Sequence, residues 1–231
     1  MPAEVYFPAE VGMYIDGVKT ANTTAAILAN VAIKDIETTS VKVQPYYTTT
    51  QGAEILGAEY TVTIADLLKK VGGEKANAVL NYAAAAQKYF NVAGTLAFSG
   101  ATVTGAYTDN LAIVEALADA RVTPQQVALI LEDSVSFKFT VDGAEDGDVM
   151  MITDGENVAT VAIENGVVTI GDVGIDNWNT TYTFQVIDEG GNAVSSSFTY
   201  SVSTYYARMA NKADQNLTDL VTAMMALYET L

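Results

Sequence analysis

Apolar and polar positions alternate with a period of two along most of this chain, and in a few stretches the period lengthens to that of a helix. The most consequential of these stretches is 77–90. It contains no Gly or Pro and is rich in Ala, with Glu74 ahead of it and Lys88 near its end, where a helix dipole favours each charge. Val79, Leu80, Ala83, Ala86 and Phe90 make one helical stripe, and Tyr82, Ala84, Ala85 and Tyr89 leave the opposite face almost as apolar. A helix apolar nearly all round is buried on more than one side. The alanine run from Ala83 to Ala86 also lets neighbouring backbone come close. The pattern predicts a central strut with β structure packed on it.

Before that strut, residues 4–62 read as β. Residues 11–15 lead into a hairpin turn at Asp16-Gly17, followed by strands over 27–33 and 40–44. The Tyr46-Tyr47 pair and a turn at Gln51-Gly52 precede a strand over 55–62. Thr63 and Asp66 match a capping box, so a short helix over 64–71 should stop at Gly72-Gly73 and form a helical hairpin with the strut. Beyond it, 92–106 is rich in Gly, Ala and Thr, with a strand expected at 102–104. Asp109 is placed to cap a helix through Leu111, Val114, Leu117 and Ala118. Thr123-Pro124 suits a helix start, yet 127–131 is an apolar run that suits a buried strand, and the strand is preferred.

From 135 to 202 the pattern is β throughout, with turn signals such as Asp142-Gly143, Asp154-Gly155 and Asn165-Gly166. Six or seven short strands at that spacing are the mark of an immunoglobulin-like sandwich. Leu217, Leu220, Val221, Met224, Leu227, Tyr228 and Leu231 then give the clearest amphipathic helix in the chain, after a shorter one at 204–211. Tyr60-Thr-Val-Thr63 followed by two helices is echoed by Tyr200-Ser-Val-Ser203 followed by two helices. The expected fold is therefore α+β: immunoglobulin-like β-sandwich elements each followed by a helical hairpin, with the helices packed centrally. It divides into a β-rich half over 1–92, a connecting segment with a helix over 93–126, and a sandwich with a C-terminal helical pair over 127–231.

Charge narrows the partners. Against 28 Asp and Glu stand only 11 Lys and Arg, a net −17 on 231 residues, which argues against nucleic acid and anionic membrane surfaces. No run reaches the ~20 apolar residues of a membrane-spanning helix. The opening Met-Pro-Ala-Glu-Val-Tyr-Phe lacks the basic and apolar regions of a signal peptide. With neither Cys nor His, disulfides, thiolate nucleophiles, imidazole bases and ordinary Zn sites are all unavailable. Paired carboxylates for glycoside hydrolysis are available by type, but no spacing singles out a pair, so no enzyme is expected. Asp142-Gly-Ala-Glu-Asp-Gly-Asp148 is acidic enough for Ca²⁺, yet taking Gly147 as the sixth position leaves Ala144 third and Thr153 twelfth, where a bidentate acid belongs. It reads first as an acidic turn and second as a loose Ca²⁺ site; no other cofactor is expected. Tyr46 and Tyr47, beside Thr48, Thr49 and Thr50, are candidates for stacking on a sugar ring. Trp178, the only Trp, has two readings, sandwich core and binding platform.

Leu80-Asn-Tyr82 with Ala85-Ala86-Gln87-Lys-Tyr-Phe90 resembles the "LNYGAAAQxYF" segment of an uncharacterised module found in large secreted and cell-surface proteins of Clostridia, with Ala83 where that family has Gly. Tyr107-Thr-Asp-Asn-Leu-Ala112, the 129–139 region, Tyr200-Ser-Val-Ser203 and Ala223-Met-Met-Ala-Leu-Tyr228 resemble its later segments, so the likeness covers about 30–231. The resemblance implies an extracellular, cell-surface location and a non-catalytic role, and it carries no site residues. Three functional expectations follow. The first is a structural or adhesion module acting in presentation or protein assembly, with protein partners or self-assembly. The second is a carbohydrate-binding module using Tyr46, Tyr47 or Trp178. The third is a virion decoration or filament subunit.

Overall fold

Local signals set most element ends. The computed structural model describes residues 8–21 and 31–231. The Asp16-Gly17 turn joins strands β1 (Glu10–Ile15) and β2 (Val18–Ala21), and both turn residues take positive φ. Strands β3 (Ser40–Thr48), β4 (Glu54–Leu56) and β5 (Tyr60–Thr63) complete an antiparallel sheet in the order β2-β1-β3-β4, with β5 also on β3. The strand expected over 55–62 is thus two, broken at Gly57. Its N–H donates to the Pro45 carbonyl, and a Cβ there would lie 2.8 Å from the Pro45 ring. Of the strand expected over 27–33, residues 27–30 lie outside the described residues, and Ile33 belongs to a single 3-10 turn, Ile33–Asp35.

Helix α1 (Ile64–Val71) begins at the expected capping box: Thr63 Oγ1 accepts from Asp66 N–H, and the Asp66 carboxylate accepts from Thr63 N–H. Helix α2 (Gly73–Phe90) contains the predicted strut and starts one turn earlier, directly after Gly72 at φ 64°. It ends on Asn91 in the left-handed region, whose N–H returns to the Gln87 carbonyl.

Strands β6 (Ala112–Glu115), β7 (Thr123–Ile130), β8 (Ser136–Asp142), β9 (Val149–Thr153), β10 (Val158–Ala162), β11 (Val167–Ile170), β12 (Tyr182–Ile187) and β13 (Ser197–Tyr200) form two further antiparallel sheets, ordered β10-β9-β12-β13-β6 and β11-β8-β7. Rings from the two sheets meet between them. Phe139 lies 4.7 Å from Phe184 and 5.6 Å from Phe198 between centroids, and Phe137 touches Phe184 and Tyr200. Helices α3 (Val202–Met209) and α4 (Gln215–Tyr228) follow β13.

Two expectations fail, each to a partner far along the chain. The helix expected over 109–118 is strand β6. The Asp109 carboxylate does accept a backbone N–H, from Leu111 at 3.2 Å, but this makes a local turn, after which Ile113 pairs with Phe198 on β13. The spacing of Leu111, Val114 and Leu117 is helical, and an open edge of sheet overrode it. Nor is 102–104 a strand; its Thr104 N–H is held by a side chain, Glu229. The strand preferred over 127–131 is present, as part of β7.

Helix α2 is buried on two sides, as its composition requires. Tyr82, Ala85 and Ala86 share one core with Leu220, Val221 and Met224 of α4 and with Phe137, Phe184 and Trp178. Ala83 faces a smaller cluster with Ile36 and Ala65 of α1. No solvent reaches Ala83, Ala85 or Ala86. Replacing Ala85 by Leu therefore overpacks a filled site and should destabilise by about 1–3 kcal/mol, whereas the exposed Lys75→Ala should change stability by no more than about 0.5 kcal/mol. Denaturant midpoints of the two variants check this.

Candidate functional site

Of the three aromatic residues proposed for stacking, only one stands where a ligand can reach it. Trp178 is 4% exposed. Its Nε1–H donates to the Val173 carbonyl at 3.0 Å, its ring meets Tyr82 edge-on at 6.5 Å, and Tyr228 lies 6.4 Å away. It is therefore a core side chain joining α2 and α4 to the strands, and the platform reading is withdrawn. Tyr46 is 3% exposed. Its hydroxyl donates to Glu10 Oε1 at 2.6 Å, Lys19 Nζ sits 4.3 Å above its ring, and Tyr14 packs at 5.4 Å. Burial, with the Glu10 carboxylate beside it, pushes the Tyr46 phenol up to about 12. No face of this ring is left for a sugar. Tyr47, its neighbour on β3, points to the opposite side of the sheet and is 44% exposed.

The acidic loop is occupied from within the chain. Arg121 grips Asp148 with two bonds of 2.9 Å, donates to the Gly143 carbonyl at 2.9 Å, and lies 3.4 Å from Glu145. Asp148 also accepts from Glu145 N–H at 2.8 Å. Arg121 and that N–H thus occupy both Asp148 oxygens, and this end of the 142–148 loop is an ion-paired turn. Among the described residues no group of three or more acids is arranged to hold a metal.

The sheet around Tyr47 has a more distinctive property. Strand register places Val11, Tyr47 and Ile55 in one row, with Met13 opposite Pro45, and with Ile15 and Tyr60 both opposite Val43. All of these point to one face, and among the described residues it carries no charged residue. Glu10, Lys19, Lys42 and Glu54 all fall on the other face, the first two and Glu54 tied up with Tyr46 and Tyr14, and Lys42 paired with Glu59. Val11, Val18, Tyr47, Ile55 and Tyr60 are exposed. Next to Tyr47 a cleft of about 640 Å³ opens, lined also by Val11, Thr49, Thr50 and Gln51. Apart from Tyr47, these residues were missed from sequence because each strand alone reads as ordinary alternation; only the register shows that the apolar sides coincide.

Elsewhere the acids act as clamps. The irregular stretch after α2 is pinned at three points. Glu37 accepts from Thr95 N–H at 2.7 Å and from its hydroxyl. Asn81 bonds Ser99 N–H and the Gly100 carbonyl, and Glu229 takes Thr104 N–H at 2.8 Å and Gly105 N–H at 2.6 Å. Partial burial works to raise the Glu37 and Glu229 carboxyls, but these donors outweigh it and both are held below the usual range. Arg121 does the same for Asp148, and Asn157 holds Asp154 down to about 2. A carboxyl held low is a poor proton donor near neutrality, the opposite of what a general acid requires.

With the geometry in place, comparison adds no relative: no protein-family model matches the chain, and no curated protein matches it.

Because the folded values of Glu37, Asp148 and Glu229 lie below their unfolded ones, the stability they contribute is complete above the unfolded range and is lost as pH falls through the folded values. The melting temperature should fall as pH drops from about 5 to about 3. Glu229→Gln should melt lower than the parent at neutral pH and show a shallower acid decline. Thermal melts across that range check both.

Proposed function

We propose that this chain is a non-enzymatic, extracellular structural or adhesion module acting in surface presentation or protein assembly, through the uncharged face of its first sheet. One observation carries the reading: a chain of net −17 keeps five large apolar side chains exposed on a face without a single charge among the described residues. Contiguous exposed apolar surface of this kind marks an interaction site. The clamped, lowered carboxylates support a non-enzymatic role. The likeness of 80–90 to clostridial cell-surface modules supports the location.

The architecture suits such a module. The orders β10-β9-β12-β13-β6 and β11-β8-β7, whose strands fall mostly in 127–231, support reading that unit as an immunoglobulin-like sandwich. α1 with α2, and α3 with α4, serve as the helical hairpins that follow the strand-rich parts, with 93–126 as connector. Sandwich domains of this kind commonly carry recognition on cell surfaces.

A carbohydrate reading keeps one specific support, Tyr47 exposed beside the hydroxyl and amide groups of Thr49, Thr50 and Gln51. Tyr47→Glu and Ile55→Glu, both at already exposed positions, should leave the far-ultraviolet spectrum unchanged and weaken attachment of labelled chain to intact source cells by at least about tenfold. Unchanged attachment would overturn the role of this face. Glycan-array binding that Tyr47→Ala abolishes would favour the carbohydrate reading instead.

A further inference from the structure

The two sheets built from β6 to β13 are open at both sides. On one side β6 bonds only to β13 and β7 only to β8; on the other, β10 bonds only to β9 and β11 only to β8. Soluble proteins blunt such edges with charges, above all Lys. Here Glu115 is the one charged residue in the four edge strands.

The edge at β6 carries that Glu115 at its C-terminal end and is otherwise apolar and exposed. Ile113 is 68% exposed and Val114 62%, although they point to opposite faces of the strand. Ile113 lies opposite Phe198, so it faces inward, over a groove of about 620 Å³ floored by Val122 and Phe198 and walled by Val127 of β7. β7 itself is blunted, because Pro124 has no N–H to offer and sits where the register shifts. The groove's one charged side chain, Arg208, is paired with Asp109 at 3.6 Å.

The far edge of the same sheet is chemically and geometrically its complement. β10 reads Val-Ala-Thr-Val-Ala, with Val158 67% exposed. Each neighbouring pair in the order β10-β9-β12-β13-β6 is antiparallel, so β10 and β6 run in the same direction. A copy shifted along the sheet therefore brings its β10 beside β6 in parallel, with inner faces still inward. Val161 and Ala159, which lie opposite the inward Met150 and Ile152, then come beside Ile113 on the groove side, while Val158 meets Val114 outside. Sheet twist of about 20–25° per strand makes the shift a screw rather than a pure translation.

We propose that a second copy of this chain docks by its β10 edge against β6, so that the five-stranded sheet runs on from copy to copy. Such a head-to-tail contact does not close on itself and generates a filament. The inference deepens the assembly reading but uses none of the residues of the first sheet's face. Repulsion between copies of net −17 opposes it, so association strengthens with salt.

The test is sedimentation of the full chain across concentration at low and high salt, with Val114→Lys and Val158→Lys, which place a Lys on each edge at an already exposed site. The parent should form species that grow with concentration and salt. Each variant alone should associate at least about tenfold more weakly, although each added Lys lowers the net charge and so the repulsion. Mixed, the two should give a discrete heterodimer, because each retains the edge the other has lost. Thr160→Lys on β10 and Ala112→Lys on β6 repeat the experiment should either variant melt early. A parent that stays monomeric throughout, or variants that assemble like the parent, would overturn the proposal. Loss with Val114→Lys but not Val158→Lys would replace it by a two-fold β6–β6 pairing. Tyr47→Glu should leave this assembly unaltered, which separates failure here from failure of the sheet-face reading.

Discussion

The close approach that Ala83, Ala84, Ala85 and Ala86 allow is the constraint on which the rest of the molecule depends. With only methyl groups on these positions, α2 can take α4 and the aromatic core against one side and the Ile36–Ala65 cluster against another. Larger side chains would push one neighbour away. Tyr82 supplies the one large contact on this run, edge-on to Trp178, and so fixes how the helix sits on the strands. Lys88 then ties α2 to Asp219 of α4 at 2.9 Å, at the rim, where an ion pair adds register more than stability. The core is thus continuous from Tyr82 to Leu227, and α2 belongs to it as fully as the sheets do.

What the sequence made legible were features whose cause is local. The Thr63–Asp66 box, the Asp16-Gly17 turn and the alternation of Phe137 with Phe139 each depend on residues within a few positions. What it left hidden depends on partners far along the chain. Residues 109–118 have helical spacing, but the free edge beside Phe198 is 80 or so residues away and claimed Ile113. Tyr46 and Tyr47 must point to opposite faces, which alternation alone implies; that the charged face is the one burying its tyrosine follows only from Lys19, Glu10 and Tyr14 closing over Tyr46. The echo between Tyr60-Thr-Val-Thr63 and Tyr200-Ser-Val-Ser203 holds in outline and slips in detail. In the first unit the cap is Thr63, the last of the four residues; in the second it is Ser201, which accepts from Thr204 N–H at 2.9 Å. Ser203 is engaged instead by Asn179 and the Trp178 carbonyl.

A large negative charge sits on this fold without an apparent binding use, and its placement explains how it is tolerated. Many of the acids do the work of backbone ladders, accepting from N–H groups that no strand or helix satisfies: Glu229 for Thr104 and Gly105, Glu37 for Thr95, Asp154 for Glu156 and Asn157, Asp188 for Asn192. Acceptors that stay ionised make shorter and stronger bonds than neutral ones. Charge is absent from the described residues of the first sheet's apolar face, and Glu115 alone carries it on the edge strands of the other two.

The irregular strap between α2 and β6 is fastened at Thr95, at Ser99 and Gly100, and at Thr104 and Gly105, with no ladder running between those points. A segment held by rivets rather than by a seam has no register to lose. Closing a slightly longer span between two fixed points costs only a fraction of a kcal/mol, about 0.6 kcal/mol for each doubling of length. Leu96, Phe98, Ala101 and Val103 between the rivets still pack against the core beneath, so it is at the exposed Ala97 and Thr102, which face solvent between the same rivets, that descendants of this chain are freest to diverge.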